Sequence, residues 1–159
     1  MQSNRRTARY WLNAWLPVVA GICVIMLEST ELFGANHTSG PLRWLFEHLF
    51  GHVGDATWEI LHMLIRKSGH FLGYGTMGLL WLRAWWMTMP HSYFLTDAML
   101  ALLGTAMVAS ADEFHQTFLP NRTGTPWDVL LDCCGAMVLQ FVVYIFMRCL
   151  RPKRLARVE

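Results

Sequence analysis

The side chains able to do chemistry in this chain fall in three short blocks: Arg66, Lys67, His70 and Tyr74; Asp112, Glu113, Gln116 and Arg122; and Asp128 with Asp132. Neighbouring carboxylates such as Asp112 and Glu113 repel when both are ionised, so one can keep a proton and trade it with an imidazole such as His70. Read as an enzyme, the set would run acid-base chemistry on a phosphate or acyl group, with His70 as base, Asp112, Glu113 and Asp132 as its acidic partners, and arginines steadying charge. Read as a binding site, Arg66, Lys67, Tyr74, Gln116, Arg122 and Asp128 would contact the ligand, arginine being favoured for phosphate or carboxylate by its planar fork. His48 and His52 stand four residues apart with His37 and Glu47 near, but without a Glu-led catalytic spacing. No metal site and no cofactor is therefore expected.

Helical spacing sorts these residues onto faces. Lys67, His70 and Tyr74 follow i, i+3, i+7; Asp112 and Gln116 are i, i+4; Asp128 and Asp132 are i, i+4. His115 falls on a different face from Asp112 and Gln116. Each of three helices thus carries one polar stripe.

The helices that bear the stripes are read from apolar runs of near-membrane length, since a span needs about 20 residues to cross roughly 30 Å of hydrocarbon. The expected spans are 11–27, 71–89, 98–119 and 127–147. The first is taken as an uncleaved helix, because Glu28-Ser29-Thr30-Glu31 is no small-residue cleavage site. Arg83 is expected to snorkel to the nearby interface. The last two spans must draw Asp112, Glu113, Asp128 and Asp132 into the bilayer. Counted from the inner ends, Tyr74, Asp112, Glu113 and Asp132 all come out about 22–24 Å up. Buried charge is costly there, so the stripes should face one another or a wet cavity, with Arg66, Lys67 and Arg122 as counter-charges and a purely apolar inner half. After Gly40-Pro41, the spacing of Leu42, Leu45, Phe46, Leu49 and Phe50 predicts a short external amphipathic helix. A further turn, Trp58 to Ile65, leads into the second span.

Composition agrees with this solvent. Of 159 residues 54% are apolar and only 15% charged, against about 25% charged in soluble domains. Disorder is excluded by the supply of Trp, Phe and Leu, and a net charge of +2 gives no case for nucleic acid. Arg5, Arg6, Arg9, Arg83 and the bases from Arg148 to Arg157 share one side, against Arg43, Arg66, Lys67 and Arg122 on the other. That asymmetry places both termini in the cytoplasm. Trp11, Trp15, Trp85, Trp86 and Trp127 are expected as interfacial anchors, and the four cysteines as small buried hydrophobes. The whole chain, 1–159, reads as a single all-α domain: a polytopic four-helix transmembrane bundle plus the amphipathic helix.

Three blocks in order, Arg66-Lys67-x-x-His70-Phe71-x-x-Tyr74, Asp112-Glu113-x-x-Gln116-x-Phe118-x-Pro120-x-Arg122 and Asp128-Val129-x-x-Asp132-x-x-Gly135-Ala136, give the chain a resemblance to the VanZ-like family. The resemblance implies a bacterial integral membrane protein of the cell envelope, in the cytoplasmic (inner) membrane, of a family whose name-giving member is associated with teicoplanin resistance. It puts the signature polar residues on Arg66, Lys67, His70, Tyr74, Asp112, Glu113, Gln116, Arg122, Asp128 and Asp132. Gly73 departs from the pattern, standing where relatives often carry an acidic residue, and Asn121 replaces a common glycine.

Three functional readings remain. The first is binding or transfer at the outer leaflet on an anionic lipid-linked phosphate or cell-wall precursor, the partner being a membrane lipid. Lys67-Ser68-Gly69-His70 resembles the Ser-Gly-His of membrane lipid phosphatases, but their second Arg-bearing histidine block is absent. The second is a proton-linked small-solute carrier, and the third a non-catalytic membrane adaptor whose polar core is structural. The oligomeric state is left open.

Overall fold

The computed structural model describes residues 7–89, 91–120, 122 and 124–150. Arg5, Arg6, Asn121 and the bases from Arg151 to Arg157, used above for orientation and motif, lie outside the described residues. The described chain is helical, in the order α1 (Ala8–Glu28), a 3-10 turn (Glu31–Phe33), α2 (Ala35–Phe50), α3 (Asp55–Thr88), α4 (Phe94–Gln116) and α5 (Pro126–Leu150). Three of these, α1, α4 and α5, are long and apolar enough to cross a membrane. Between residues 71 and 88 α3 carries only Arg83 as a charge, but its glycines, tryptophans and Tyr74 dilute its hydropathy.

The expected 11–27 and 127–147 are embedded in α1 and α5, each extended at both ends. Where 58–65 and 71–89 were expected as a turn and a span, one continuous 34-residue helix runs. At 1.5 Å per residue α3 is about 51 Å long, well beyond the thickness of hydrocarbon. The expected 98–119 starts earlier, at Phe94, and stops at Gln116. The amides of Phe118 and Leu119 bond back to the carbonyls of His115 and Gln116, a tightening into three-residue turns that ends the helix before Pro120.

The amphipathic helix begins six residues before Pro41, which lies inside it. A proline there removes one intrahelical bond, yet the first turn is tied down from α3. Thr38 Oγ1 bonds His62 Nε2 at 3.1 Å, and Trp58 donates its indole N–H to Ser39 at 2.8 Å. At the far end Arg43 donates to Glu47, Asp55 and the Val53 carbonyl. That bonding, with the Val53 amide, holds the Glu47 carboxyl below its ordinary range. Gly51, at φ 91°, makes the left-handed exit that follows a helix C-terminus. Leu45, Leu49 and Phe50 on the apolar stripe stay exposed, as suits a helix lying on a membrane surface.

The longest helix, α3, is the centre of the bundle and packs on α1, α4 and α5. Its seam with α5 is made of small residues. A Cβ on Gly135 would lie 2.1 Å from the Phe71 carbonyl oxygen, and one on Gly78 2.7 Å from Ala136 Cβ. Such close approach is the packing mode of helices that lack a hydrophobic drive to associate. The core includes Val18, Ile25, Met77 and Ala109. Outward the bundle is apolar: Leu16, Leu103 and Phe141 are each about 60% exposed, a surface that suits lipid better than water.

At the opposite end two sets of contacts join α1 to α3. Pro17 has no N–H for the carbonyl of Asn13, and Arg83 takes that carbonyl at 2.8 Å, with Asn13 Oδ1 at 3.1 Å. Arg83 thus joins α3 to α1. Trp15 and Trp85 are half-buried and packed edge to face, with Trp81 against Trp15, while Trp11, Trp86 and Trp127 are exposed. The cysteines are free, and Cys23 and Cys149 are exposed rather than buried.

Candidate functional site

The last turn of α4 and the first turns of α5 meet α3 beside Tyr74. Tyr74 donates to Asp112 Oδ2 at 2.9 Å, and Gln116, one turn on, donates to the same oxygen at 3.1 Å. The stripe of α4 therefore closes on the stripe of α3. His70 stacks on Tyr74 one turn along α3 and faces α5, its Nδ1 3.6 Å from Asp132 Oδ1. That is an ion-pair distance, too long for a hydrogen bond, so His70 Nδ1 and both Asp132 oxygens are buried without a hydrogen-bond partner. The small-residue seam at Gly135 and Phe71 is what allows this approach, because it sits within one turn of both side chains.

Lys67 pairs with Asp128 at 2.5 Å. Thr125, three residues before Asp128, bonds that carboxylate through its hydroxyl at 3.0 Å and gives its backbone amide to Glu113 Oε2 at 2.8 Å. Gly124 lets the loop lie this close, since a Cβ there would stand 2.0 Å from the Glu113 carbonyl. Thr125 was not among the expected site residues; its signal is the T-x-x-D spacing of a capping box.

The counter-charges are placed differently from the expectation. Asp112, Glu113 and Asp132 are 2%, 5% and 0% exposed, and among the described residues no Lys or Arg lies within 4.0 Å of them. Lys67 serves Asp128. Arg122 instead donates from Nη2 to the carbonyls of Glu28 and Thr30, at 2.7 and 3.0 Å, gripping the end of α1. Its Nε is buried with no partner. Burial and the like charge of Arg66 pull the Arg122 guanidinium below its ordinary value. His115 also turns to α1, bonding Ser29 at 3.0 Å, and so stands apart from the cluster.

Two cavities flank these groups. One, of about 290 Å³, is lined by the apolar Ile25, Phe33 and Leu42 and by the polar Tyr74, Asp112, Arg66 and Arg122, with Glu28, Gly69 and Gly73 also at its wall. The second, of about 370 Å³, is bounded by Lys67, Glu113 and Asp128 together with Glu59 and His62. Arg66, His70, Gln116 and Arg122 line both. Asp132 lies behind His70. All ten predicted residues are thus in one region, whereas the apolar wall from α1 and α2 had no forecast.

Three potential ligand atoms also converge, one each from His70, Asp112 and Glu113, within 4.8 Å of one another. The His48–His52 pair forms no such group: His48 stacks on Trp44 and His52 pairs with Glu47 at 3.1 Å. Toward the other end the interior is not purely apolar, since Asp97, Thr105 and Gln140 are buried. Thr105 bonds the Ala101 carbonyl of its own helix and Asp97 meets Ser92 at 2.6 Å.

Compared with known proteins, the chain matches a family model described as VanZ/LLP1 over residues 14–148. No curated protein and no solved structure matches it.

Proposed function

The chain belongs to the VanZ/LLP1 family, and from that premise we propose that this membrane protein binds, and can modify, an anionic lipid-linked phosphate or cell-wall precursor at the outer leaflet. In this reading α3 is a fourth span, the termini are cytoplasmic in a bacterial inner membrane, and the site opens outward. A role in glycopeptide tolerance would follow from capture of such a precursor.

The observation that carries the proposal is the composition of the 290 Å³ cavity. Ile25, Phe33 and Leu42 offer a surface for acyl or isoprenyl carbon, while Arg66 and Arg122 line the same cavity with no carboxylate within 4.0 Å of either, among the described residues. Two cations close enough to repel, one with a buried unpartnered Nε, are arranged to gain from an anion. His70, Asp112 and Glu113 line the cavities beside the bound group and would serve its modification. A carrier is disfavoured by the interior below Tyr74. Among the described residues its buried polar side chains are Asp97 and Thr105, bonded within their own segment, and Gln140, which reaches the Gly78 carbonyl of α3 at 3.5 Å; they are not arranged as a relay.

Lipid mass spectrometry on the purified protein tests the reading. A phospholipid or isoprenoid phosphate should be retained by the wild type and lost in Arg122→Ala. If nothing specific is retained by the wild type, the adaptor reading replaces this one.

A further inference from the structure

We infer that His70, Asp112 and Glu113 bind one divalent transition-metal ion, with Asp132 as the residue that positions His70. The inference rests on the geometry of the cluster and does not require the lipid ligand.

Three potential ligand atoms from these residues already lie within 4.8 Å of one another. Around an ion with bonds of roughly 2.0–2.2 Å, ligand atoms stand on the order of 3–4 Å apart, so the set as it stands is at most about 2 Å wider than a bound one. The surroundings have the pattern expected of a metal site's outer groups. Asp112 uses Oδ2 for Tyr74 and Gln116 while its Oδ1 is buried with no partner. Glu113 is held at one oxygen by the Thr125 amide. His70 turns Nδ1 toward Asp132 at 3.6 Å, leaving Nε2 for the ion; closing that gap to a hydrogen bond would give the arrangement of carboxylate, histidine and metal that fixes ring orientation.

Charge gives an independent reason. Asp112, Glu113 and Asp132 are at most 5% exposed, and of the cations expected to neutralise them Lys67 pairs with Asp128, Arg122 donates to the end of α1, and Arg66, though it lines the same cavities, stands more than 4.0 Å from all three. Carboxylates buried beside one another without a cation are strongly unfavourable when ionised. A divalent cation offsets that cost and keeps both ligand carboxylates ionised. The donor set is one nitrogen and two oxygens with no thiolate, which suits Zn2+ or Mn2+ better than the all-oxygen cages of Ca2+. Three protein ligands leave a coordination position for water or an anion from the cavities that His70 lines on either side.

The test uses the full chain in detergent without added lipid, stripped with a chelator and titrated separately with Zn2+, Mn2+ and Co2+ alone. Metal content after desalting should reach about one ion per chain. Asp112→Asn with Glu113→Gln should weaken Zn2+ binding by at least about a hundredfold, and Asp132→Asn by roughly ten- to a hundredfold. His48→Ala with His52→Ala should leave it unchanged. Substoichiometric binding by the wild type, wild-type affinity in the double carboxamide variant, or loss on removing His48 and His52 would each overturn the inference. Should the double variant fail to fold, the Co2+ spectrum of the wild type decides: four- or five-coordinate bands without sulfur charge transfer support the site, and a hexaaqua-like spectrum refutes it. Because no lipid is present, failure here leaves the lipid reading standing, and loss of lipid retention leaves the metal site standing.

Discussion

Two glycine-to-alanine changes, one in α3 and one in α5, should move stability in opposite directions. Gly73 in α3 has nothing within 4 Å of where a Cβ would stand, so Gly73→Ala collects the helix-propensity gain of about 1 kcal/mol. Gly135 in α5 gains the same propensity, but its Cβ would be 2.1 Å from the Phe71 carbonyl oxygen. Ordinary contact between carbon and oxygen is about 3.3 Å, so the helices must part by about 1.2 Å. The obstacle is backbone, which cannot rotate aside, and overpacking of this kind costs about 3 kcal/mol at the upper end of its usual range. The net for Gly135→Ala is a loss of about 2 kcal/mol, and the gap between the two variants about 3 kcal/mol. Denaturant unfolding in micelles, followed by tryptophan emission, measures both. The same parting would carry His70 away from Asp132, now 3.6 Å distant. If the two variants shift stability in the same direction by similar amounts, close packing at Gly135 is not what brings α3 and α5 together, and the account of how the site is positioned fails.

Other consequences follow from single contacts. The Lys67–Asp128 pair has side chains 48% and 22% exposed, so a double-mutant cycle with Lys67→Met and Asp128→Asn should give a coupling under about 1 kcal/mol; a much larger value would mean the pair is shielded from solvent. Arg83 bonds a carbonyl that Pro17 leaves free, so Arg83→Gln should cost about 1 kcal/mol less in a Pro17→Ala background, where the Asn13 carbonyl regains its intrahelical donor; equal costs in both backgrounds would sever the link. Burial and, secondarily, the charge of Arg66 hold His62 below its ordinary value of 6.5. A depressed value favours the neutral ring in the folded state, so its contribution is present above pH 6.5 and lost as pH falls through the folded value. Hydrogen exchange in α2, which His62 holds through Thr38, should rise over that window, and His62→Gln should flatten the dependence.

The elements were largely legible in the sequence because their signal is local. Apolar runs gave α1, α4 and α5, and the stripe from Leu42 to Phe50 gave most of α2. What was missed in the elements came from long-range contacts. Pro41 reads as a helix start, yet Thr38 and Ser39 are tied to His62 and Trp58, 24 and 19 residues away, and keep the preceding turn helical. The start of α3 at Asp55 likewise depends on Arg43 binding across the Gly51 turn.

For the site, residue type and the 3.6-residue period determined which side chains share a face, and hence that Tyr74, Asp112 and Gln116 could meet. Period says nothing of the distance between helices, which small residues such as Gly135 set through packing. Nor does it reveal acceptors that every residue carries. Arg122 was expected beside the carboxylates and is held by the backbone carbonyls of Glu28 and Thr30 instead, groups with no signature in the sequence. The sequence by itself therefore determined the solvent, the helices and the polar set. Tertiary structure alone decided which charges neutralise one another and which are left buried, because that depends on angstrom-scale approach between segments far apart in the chain.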